Sequence, residues 1–244
     1  MIHKNDLDQI SVFNQDAARN QGYLYTTDAR LSSQLATQRS TEVILKLGDF
    51  AGRSVLDVGC GDGFYTCCLS DLGHPRTMVG VDAANKAIEV ANANKQGRAI
   101  EFHVGDAHCL PYRDDSFDLV LLQSILHHDD NPLEIVREAF RLSPAILIHE
   151  PNGNNLGLKI IEKTSRYHRE HHEKSYTSWR LKNWIDQVGG RIVRQQFAGF
   201  VPMFCSDRIA RVMKGIEPVV ERLPLFNTFG CSVQVLVAVR KNQF

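Results

Sequence analysis

The sequence lacks three features that would assign it to a specialised class of protein. None of its six cysteines belongs to a C-x-x-C pair, so a disulfide framework is not expected. No apolar run approaches the roughly 20 residues that a bilayer span requires, and the amino terminus shows no signal peptide. Lysine plus arginine and aspartate plus glutamate both total 28, so no overall positive charge attracts nucleic acid. These absences predict a soluble, cytoplasmic protein with no stable membrane insertion and no nucleic-acid partner.

The order of apolar runs predicts the fold. From Arg53 onward, short apolar runs alternate with helix-like stretches, which is typical of parallel β-α-β units. The runs are nearly continuous in apolar content, as expected for strands with helices on both faces. In chain order they are SVLDV, TMVGVD, IEFHV, FDLVLL, AILIHE, RIVRQQFAGF and CSVQVLVAVR. The pattern predicts a Rossmann-like, doubly wound, seven-stranded, mostly parallel sheet, whose last strand is antiparallel because its residues alternate.

The flanking segments define the expected domain organisation. Residues 1–50 have helical spacing without a strand-like run, so they are expected to form a helical N-terminal cap. Residues 51–244 are expected to form the main domain, with an insert after the fifth strand over about 151–180 and a helical segment over about 205–222. Ser206 is the expected N-cap of that helix.

A glycine-rich turn follows the first strand, in VLDVGCGDGFYT. Gly59, Gly61 and Gly63 permit backbone angles closed to other residues and let a ligand approach the main chain. A dinucleotide fingerprint, G-x-G-x-x-G, would need glycine at position 64, where this chain has Phe64. Asp57, just before the turn, would repel phosphates but accept hydrogen bonds from a cationic group. The turn therefore favours a cofactor without a pyrophosphate.

Further polar residues follow the next three strands. Asp82, with Ala83, ends the second strand where a carboxylate can accept from ribose hydroxyls. Asp106 and Ala107 follow the third strand, where they suit an adenine ring. Gln123 and Ser124 end the fourth strand near the expected centre of the cofactor. Each acid has a plainer interpretation as a helix cap, but their joint order favours cofactor binding.

These motifs resemble class I S-adenosylmethionine-dependent methyltransferases over about residues 53–150. V-L-D-V-G-C-G-D-G, V-G-V-D, G-D-A and F-D-L-V occur in the family's order, and L-P-Y-R-D-D-S-F-D-L-V with L-H-H resembles the small-molecule branch that includes ubiquinone and menaquinone biosynthesis enzymes. The resemblance implies S-adenosyl-L-methionine as cofactor and S-adenosyl-L-homocysteine as product. It implies that Gly59, Gly61 and Asp57 line the methionine moiety, Asp82 holds the ribose, and Asp106 with Ala107 contacts adenine.

Candidate bases follow the fourth and fifth strands. His127, His128 and His149 are predicted catalytic residues, since imidazole titrates close to neutral pH and suits proton removal from a hydroxyl. Glu150 is predicted to contact the acceptor. One histidine of L-H-H-D-D-N-P has the alternative of bonding backbone, while Asp130 or Asn131 begins the next helix with Pro132 in its first turn.

Two less regular segments are expected to cover the site. The stretch 164–180 is rich in histidine, arginine and tyrosine, and His171, His172 and Tyr176 are predicted to bind the acceptor; a solvated helix-loop is the alternative. No metal is expected, because the histidines complete no recognised zinc spacing. Tyr25 and Arg30 are predicted to meet the cofactor carboxylate, although surface and packing roles fit equally well.

The expected activity is methyl transfer to a small-molecule, sugar-linked or lipid-linked acceptor, most readily at oxygen. The apolar stripe within 201–229 is compatible with a lipid-linked acceptor, with core packing as the alternative. A regulatory protein that binds S-adenosylmethionine without turnover is the main alternative, and an NAD-dependent oxidoreductase is a weaker one, opposed by Phe64 and Asp57. A monomer or homodimer is expected.

Overall fold

Seven strands form one sheet in the order β3-β2-β1-β4-β5-β7-β6. The computed structural model describes residues 4–164, 174–203 and 205–241. Strands β1 to β5 run parallel to one another, whereas β7 lies between β5 and β6 and is antiparallel to both. The strands are β1 Ser54–Val58, β2 Thr77–Asp82, β3 Ile100–Val104, β4 Leu119–Gln123, β5 Ala145–Pro151, β6 Gly190–Ala198 and β7 Val233–Arg240. The predicted mostly parallel sheet with an antiparallel last strand is confirmed.

Helices lie on both faces of this sheet, as the continuous apolar content of the strands predicts. In the described ranges they are α1 Lys4–Asn20, α2 Leu24–Thr27, α3 Leu31–Gly48, α4 Phe64–Gly73, α5 Asn85–Asn94, α6 Pro132–Leu142, α7 Leu156–Thr164, α8 Ser178–Gln187, α9 Asp207–Arg222 and α10 Pro224–Gly230. A short 3₁₀ helix covers Leu126–His128. None of these helices is long and apolar enough to cross a bilayer.

The central strands supply the core of both layers. Every residue of β4 is buried, and successive side chains point to opposite faces of the sheet. Leu121 packs with Val55, Leu147 and the aliphatic face of α3, whereas Leu122 packs with Ile148 and residues of α6 and α8. The sheet is therefore sandwiched between two separate apolar clusters.

The N-terminal segment is helical, as its spacing predicts. α3 packs on β5, β6 and β7 and also on α4, while α1 packs on α5. Arg39 of α3 forms a bidentate ion pair with Glu221 of α9. Its Nε donates to Oε1 of Glu221 at 2.9 Å, and its Nη2 donates to Oε2. These contacts attach the cap to both ends of the sheet.

Truncating the buried β4 side chain Leu122 is expected to destabilise the fold. Leu122 is fully buried, and Leu122→Ala removes apolar contacts and leaves a cavity, at a cost of about 2–5 kcal/mol in the free energy of unfolding. Urea unfolding followed by circular dichroism measures this cost. Leu72→Ala, at a site 62 % exposed on α4, is the matched control and is expected to change stability by less than about 0.5 kcal/mol. Equal losses in both variants would contradict the packing described above.

Candidate functional site

A cavity of about 1150 Å³ opens at the carboxyl edge of the parallel strands. The strand order reverses between β1 and β4. β2 and β3 are added on one side of β1, whereas β5 is added on the far side of β4. Loops that leave the two strands diverge there, and open α/β sheets bind ligands in the resulting crevice. The volume exceeds the roughly 300–1,000 Å³ of a typical small-molecule pocket. The cavity therefore has room for more than one small molecule.

The glycine turn forms the floor of the cavity. Gly59, Gly61 and Gly63 all have positive φ, at 80°, 56° and 74°, which is the left-handed region that favours glycine. A Cβ on Gly61 would lie 2.5 Å from Cε2 of Tyr23, and one on Gly59 would lie 2.8 Å from Cδ1 of Ile125. The turn consequently needs glycine both for its conformation and for its packing.

Two predicted acids surround the turn. Asp82 accepts hydrogen bonds from the backbone N–H groups of Gly61, at 2.9 Å, and Ala84, at 2.8 Å. Asp57 accepts a 2.6 Å hydrogen bond from the Thr66 hydroxyl through Oδ2, while its Oδ1 has no hydrogen-bond partner among the described residues. Burial raises the pKa of Asp57 to about 7, and burial also raises the pKa of Asp82.

A third acid, Asp62, was not predicted and connects the N-terminal cap to the turn. Its carboxylate accepts from the backbone N–H of Tyr23 at 2.9 Å and from the hydroxyl of Thr26. It also accepts from the N–H of Phe64 at 3.1 Å. Nothing in G-C-G-D-G distinguishes this aspartate from a turn residue, because its partners lie 36–39 positions earlier.

The end of β3 forms another side of the cavity. Asp106 and Ala107 both line it, next to Ala83 from the end of β2. Asp106 accepts from the backbone N–H of His108 at 2.9 Å, and the His108 ring lies between Asp106 and Asp129, with contacts of 2.9 and 3.2 Å. Asp106 and Ala107 therefore line the same cavity as the glycine turn, and their contact with a nucleoside stays a prediction.

The end of β4 brings Gln123 and Ser124 to the centre of the cavity wall. Gln123 is buried, and its Oε1 accepts no hydrogen bond within the described part of the chain. Ser124 has φ 54°, and its N–H donates to the carbonyl of His149 at 2.8 Å. The residues that follow this turn, including His127, also line the cavity.

His127 and Glu150 form a buried pair at this wall. The Nδ1 of His127 lies 2.7 Å from Oε2 of Glu150, and Oε1 of the same carboxylate accepts from the backbone N–H of Leu126 at 2.8 Å. His127 lines the cavity, whereas Glu150 is fully buried behind it. Glu150 thus occupies a different position from the acceptor-contacting one that the sequence predicts, because β5 directs its carboxylate into the protein.

The other two predicted histidines also line the cavity. The ring of His128 lies against the rings of His127 and Phe13, with centroid distances of 3.9 and 4.9 Å. His149 contacts the Ser40 hydroxyl through Nε2 at 3.1 Å, and burial lowers its pKa to about 4. His149 is therefore uncharged at neutral pH. Ser40, from α3, carries no sequence signal for this contact.

The remaining predicted residues lie away from the cavity or outside the described ranges. The ring of Tyr176 packs edge-on against Trp184 at 4.7 Å, behind the wall. Arg30 is exposed and pairs with Asp28 at 3.4 Å, because it directly precedes α3 on the protein surface. Tyr25 lies in α2, but its side chain is not among those described. His171 and His172 lie outside the described residues.

Segments that follow β5 add apolar side chains to the cavity lining, and we call these residues the apolar arm. They are Leu158 and Ile161 of α7 with Val201, Met203 and Met213, and the polar residues Glu162, Lys174 and Ser175 also line the cavity. Because the polar groups described above are concentrated at the strand ends, this arm suits the apolar part of a second ligand.

Residues 56–144 match the family model described as a methyltransferase domain. The match begins in β1 and ends just after α6, so it includes every polar strand end from Asp57 to the 3₁₀ helix. This region is a class I methyltransferase domain. The resemblance to the S-adenosylmethionine-dependent family is confirmed for it.

Curated relatives share this domain but not the whole chain. A demethylmenaquinone methyltransferase of Lactococcus lactis is 35 % identical over 40 % of this chain and 40 % of its own length. An O-methyltransferase of Pyrenophora dematioidea is 33 % identical over 47 % of each protein. The chain thus spans less than half the length of these relatives. The similarity supports the methyltransferase domain, whereas the acceptor is a separate question.

Solved methyltransferase structures share the fold over most of the chain. A possible histamine N-methyltransferase from Thermotoga maritima is similar with a TM-score of 0.69 at 14 % identity, over 96 % of this chain and 100 % of that one. A magnesium protoporphyrin IX methyltransferase from Synechocystis, with S-adenosylhomocysteine bound, is similar with a TM-score of 0.60 at 16 % identity. The similarity covers 86 % of this chain and 84 % of that one. At these identities the similarity concerns the fold.

The groups around the cavity of the methyltransferase domain fit S-adenosylmethionine. Asp57, Asp62 and Asp82 produce a negative potential around the turn, which favours a sulfonium and an ammonium group and disfavours a pyrophosphate. Among the described residues, Asp57 Oδ1, Gln123 Oε1 and His149 Nδ1 are buried without hydrogen-bond partners and lie on this cavity, as expected where a ligand supplies the missing partners. No cluster of metal-ligating side chains occurs within the described ranges.

The raised pKa of Asp57 makes a prediction about stability and pH. In the unfolded chain the carboxyl loses its proton near its ordinary pKa of 3.8, whereas in the fold it does so at about 7. The contribution of Asp57 to stability should therefore fall as pH rises through this interval and stay level above it. Asp57→Asn keeps an acceptor for Thr66 but cannot ionise. The variant should gain stability relative to wild type between pH 4 and 7, by on the order of a few kcal/mol.

Urea unfolding of both proteins across this pH range measures the difference. Asp115→Asn is the control, because Arg240 holds the pKa of Asp115 below its usual range and its effect should stay constant above about pH 5. Parallel stability curves for wild type and Asp57→Asn would contradict the burial of an uncompensated carboxyl at this position.

Proposed function

We propose that this chain uses S-adenosylmethionine to methylate a hydroxyl group of a small, largely apolar acceptor, with His127 as the general base. The observation that carries the proposal is the 2.7 Å contact between Nδ1 of His127 and Oε2 of Glu150 at the cavity wall. His127 follows Gln123 and Ser124 by four and three residues, and the proposal places the cofactor beside these two residues.

The proposed cofactor pose uses the strand ends in order. Asp82 would accept from the ribose hydroxyls with Ala83 beside the sugar, and Asp106 with Ala107 would contact adenine. Gly59, Gly61 and Asp57 would line the methionine moiety, and Gln123 with Ser124 would border the sulfonium. Two unpartnered buried atoms, Asp57 Oδ1 and Gln123 Oε1, and the acidic environment support this pose.

The proposed chemistry needs alignment and a base. S-adenosylmethionine held by these residues would supply an activated methyl group, and its sulfur would leave as a neutral thioether when the acceptor oxygen takes that group. Glu150 accepts the Nδ1 proton of His127, so in the neutral ring Nε2 carries the lone pair. Nε2 takes the proton that the acceptor hydroxyl loses.

Glu150 is a positioning residue in this mechanism. Its second oxygen is fixed by the N–H of Leu126, so the carboxylate cannot rotate away from the imidazole. His128 packs against His127 and limits the tilt of its ring. His149, which is neutral because of burial, is suited to hydrogen bonding with the acceptor rather than to carrying charge.

The acceptor is proposed to be a small molecule with an apolar body, free or lipid-linked. The apolar arm formed by Leu158, Ile161, Val201, Met203 and Met213 supports this class. The similarity to proteins named O-methyltransferase and demethylmenaquinone methyltransferase agrees with it. Sugar-linked acceptors, a monomer or homodimer, and a cytoplasmic location stay predictions.

Replacing the base tests the mechanism. A screen of phenols, quinols, sugars and amines with methyl-labelled cofactor first identifies an accepted compound. For a hydroxyl acceptor, His127→Asn should lower kcat by about 100- to 10,000-fold and remove the limb of the pH profile that belongs to the imidazole. Cofactor affinity should be unchanged.

Two further variants separate catalysis from folding. Glu150→Gln should lower kcat without a comparable rise in KM, because the amide no longer fixes the Nδ1–H tautomer. His103→Gln, at an exposed position on β3, should leave both constants unchanged. A His127→Asn enzyme with full activity, or selective transfer to amines alone, would refute a base-assisted O-methylation.

A further inference from the structure

The outward face of α9 carries a continuous row of exposed apolar side chains. Their spacing alternates between three and four residues, which keeps them on one side of a helix. The exposed fraction is 62 % for Val212 and 56 % for Val219. The row consists of Ile209, Val212, Ile216 and Val219, and it continues past the end of the helix through Leu223 and Phe226.

Neighbouring helices extend this row into a patch. α10 packs against both α9 and α7. It exposes Leu225 and Phe229, and α7 exposes Leu156, Ile160 and Ile161. We call the exposed apolar residues of α7, α9 and α10, with Leu223, the apolar surface. Contiguous apolar patches of this kind are uncommon on proteins that have no partner there.

Positive charge borders the apolar surface. Arg208, Arg211 and Arg222 are all exposed on α9, next to its apolar row. The glutamates of the same helix point the other way: Glu217 is buried and pairs with Lys214 at 2.6 Å, and Glu221 pairs with Arg39. Of the exposed charged residues of α9, only Asp207 is acidic. The outward charge of this helix is therefore positive.

The apolar surface is continuous with the cavity. Ile161 belongs to the surface and also lines the apolar arm, and Met213 of α9 lines the arm between two exposed members of the row, Val212 and Ile216. A molecule in contact with the surface thus lies at the rim of the acceptor arm.

We infer that the apolar surface docks this protein on an anionic lipid surface. Apolar side chains beside arginines are the composition that inserts at a headgroup boundary and attracts acidic lipids. A second copy of the chain fits less well, since a two-fold contact places the same patch on both partners and would bring the arginine borders towards each other. The inference goes beyond the proposed function and does not depend on it.

Vesicle sedimentation with the full chain tests the docking. The protein should sediment with vesicles of equal parts phosphatidylglycerol and phosphatidylcholine, and much less with phosphatidylcholine alone. Because the attraction is partly electrostatic, binding should weaken as salt is raised. No sedimentation with the phosphatidylglycerol vesicles at low salt would overturn the inference.

The apolar contribution is tested by a pair of matched variants. Val212→Ser with Val219→Ser should weaken vesicle binding by at least about tenfold, since apolar burial is lost at two positions. Leu72→Ser with Trp179→Ser changes residues of similar exposure, 62 % and 71 %, on α4 and α8, and should leave binding unchanged. Circular dichroism and the thermal midpoint report whether each variant folds.

The charge contribution is tested in the same assay. Arg208→Gln with Arg211→Gln should weaken binding to the phosphatidylglycerol vesicles by about fivefold for each arginine. Arg113→Gln with Arg191→Gln, at exposed positions elsewhere, is the control. Equal losses in the control would overturn the assignment to this surface.

The oligomeric state provides the remaining outcome. Sedimentation velocity should give the same oligomeric state for wild type and for the double variant Val212→Ser with Val219→Ser. A wild-type dimer that these substitutions dissociate would assign the apolar surface to a second copy and overturn the inference. If the wild-type protein binds the vesicles but does not bind S-adenosylhomocysteine, the proposed function is wrong and the docking inference is supported.

Discussion

The site depends on the change in sheet direction between β1 and β4. Because β2 and β3 are added on one side of β1 and β5 on the far side of β4, the loops after these two strands separate instead of packing against each other. Asp57 and the glycine turn lie on one side of the opening, and Gln123 with His127 lies on the other. The same opening exposes the ends of β2 and β3, and His149 of β5 also lines it, so a single cavity collects polar groups from the ends of five strands.

Closure of this opening by the N-terminal cap shapes the chemistry. Asp62 accepts from Tyr23 and Thr26, and His149 contacts Ser40 of α3, so the cap helps to form the wall of the cavity. Burial raises the pKa of Asp57 to about 7 and lowers that of His149 to about 4. An interior that disfavours isolated charge strengthens the interaction of the remaining carboxylates with a cationic ligand.

The sheet and the strand-end residues that line the cavity were predictable from the sequence, because their signals are local. Apolar runs of strand length, glycines at a turn and an acid at a strand end each depend on a few consecutive residues. The residues that were missed depend on distant partners. Ser40 meets His149 across 109 positions, and the orientation of Glu150 is decided by the N–H of Leu126. Likewise, the sequence could not tell whether the apolar stripe of 201–229 packs in the core or faces outward, since both arrangements use the same spacing.

The shared fold does not determine the acceptor. The matched family region ends at residue 144, whereas the apolar arm and the apolar surface are built largely from α7 onward. Variation in substrate among proteins with one cofactor-binding core is expected where the added segments differ. The part of this chain that should determine its substrate is therefore the part for which relatives give the least guidance.

Calorimetric titration with S-adenosylhomocysteine tests the central claim most directly. Wild type should bind it at a single saturable site, and Asp82→Ala should bind at least about tenfold more weakly, because hydrogen bonds to a charged acceptor contribute roughly 1.5–3 kcal/mol. Glu89→Ala, on the exposed face of α5, should bind as wild type does, and NADH should give no saturable heat. Folded wild-type protein that binds NADH but not S-adenosylhomocysteine, or an Asp82→Ala variant with unchanged affinity, would contradict the account.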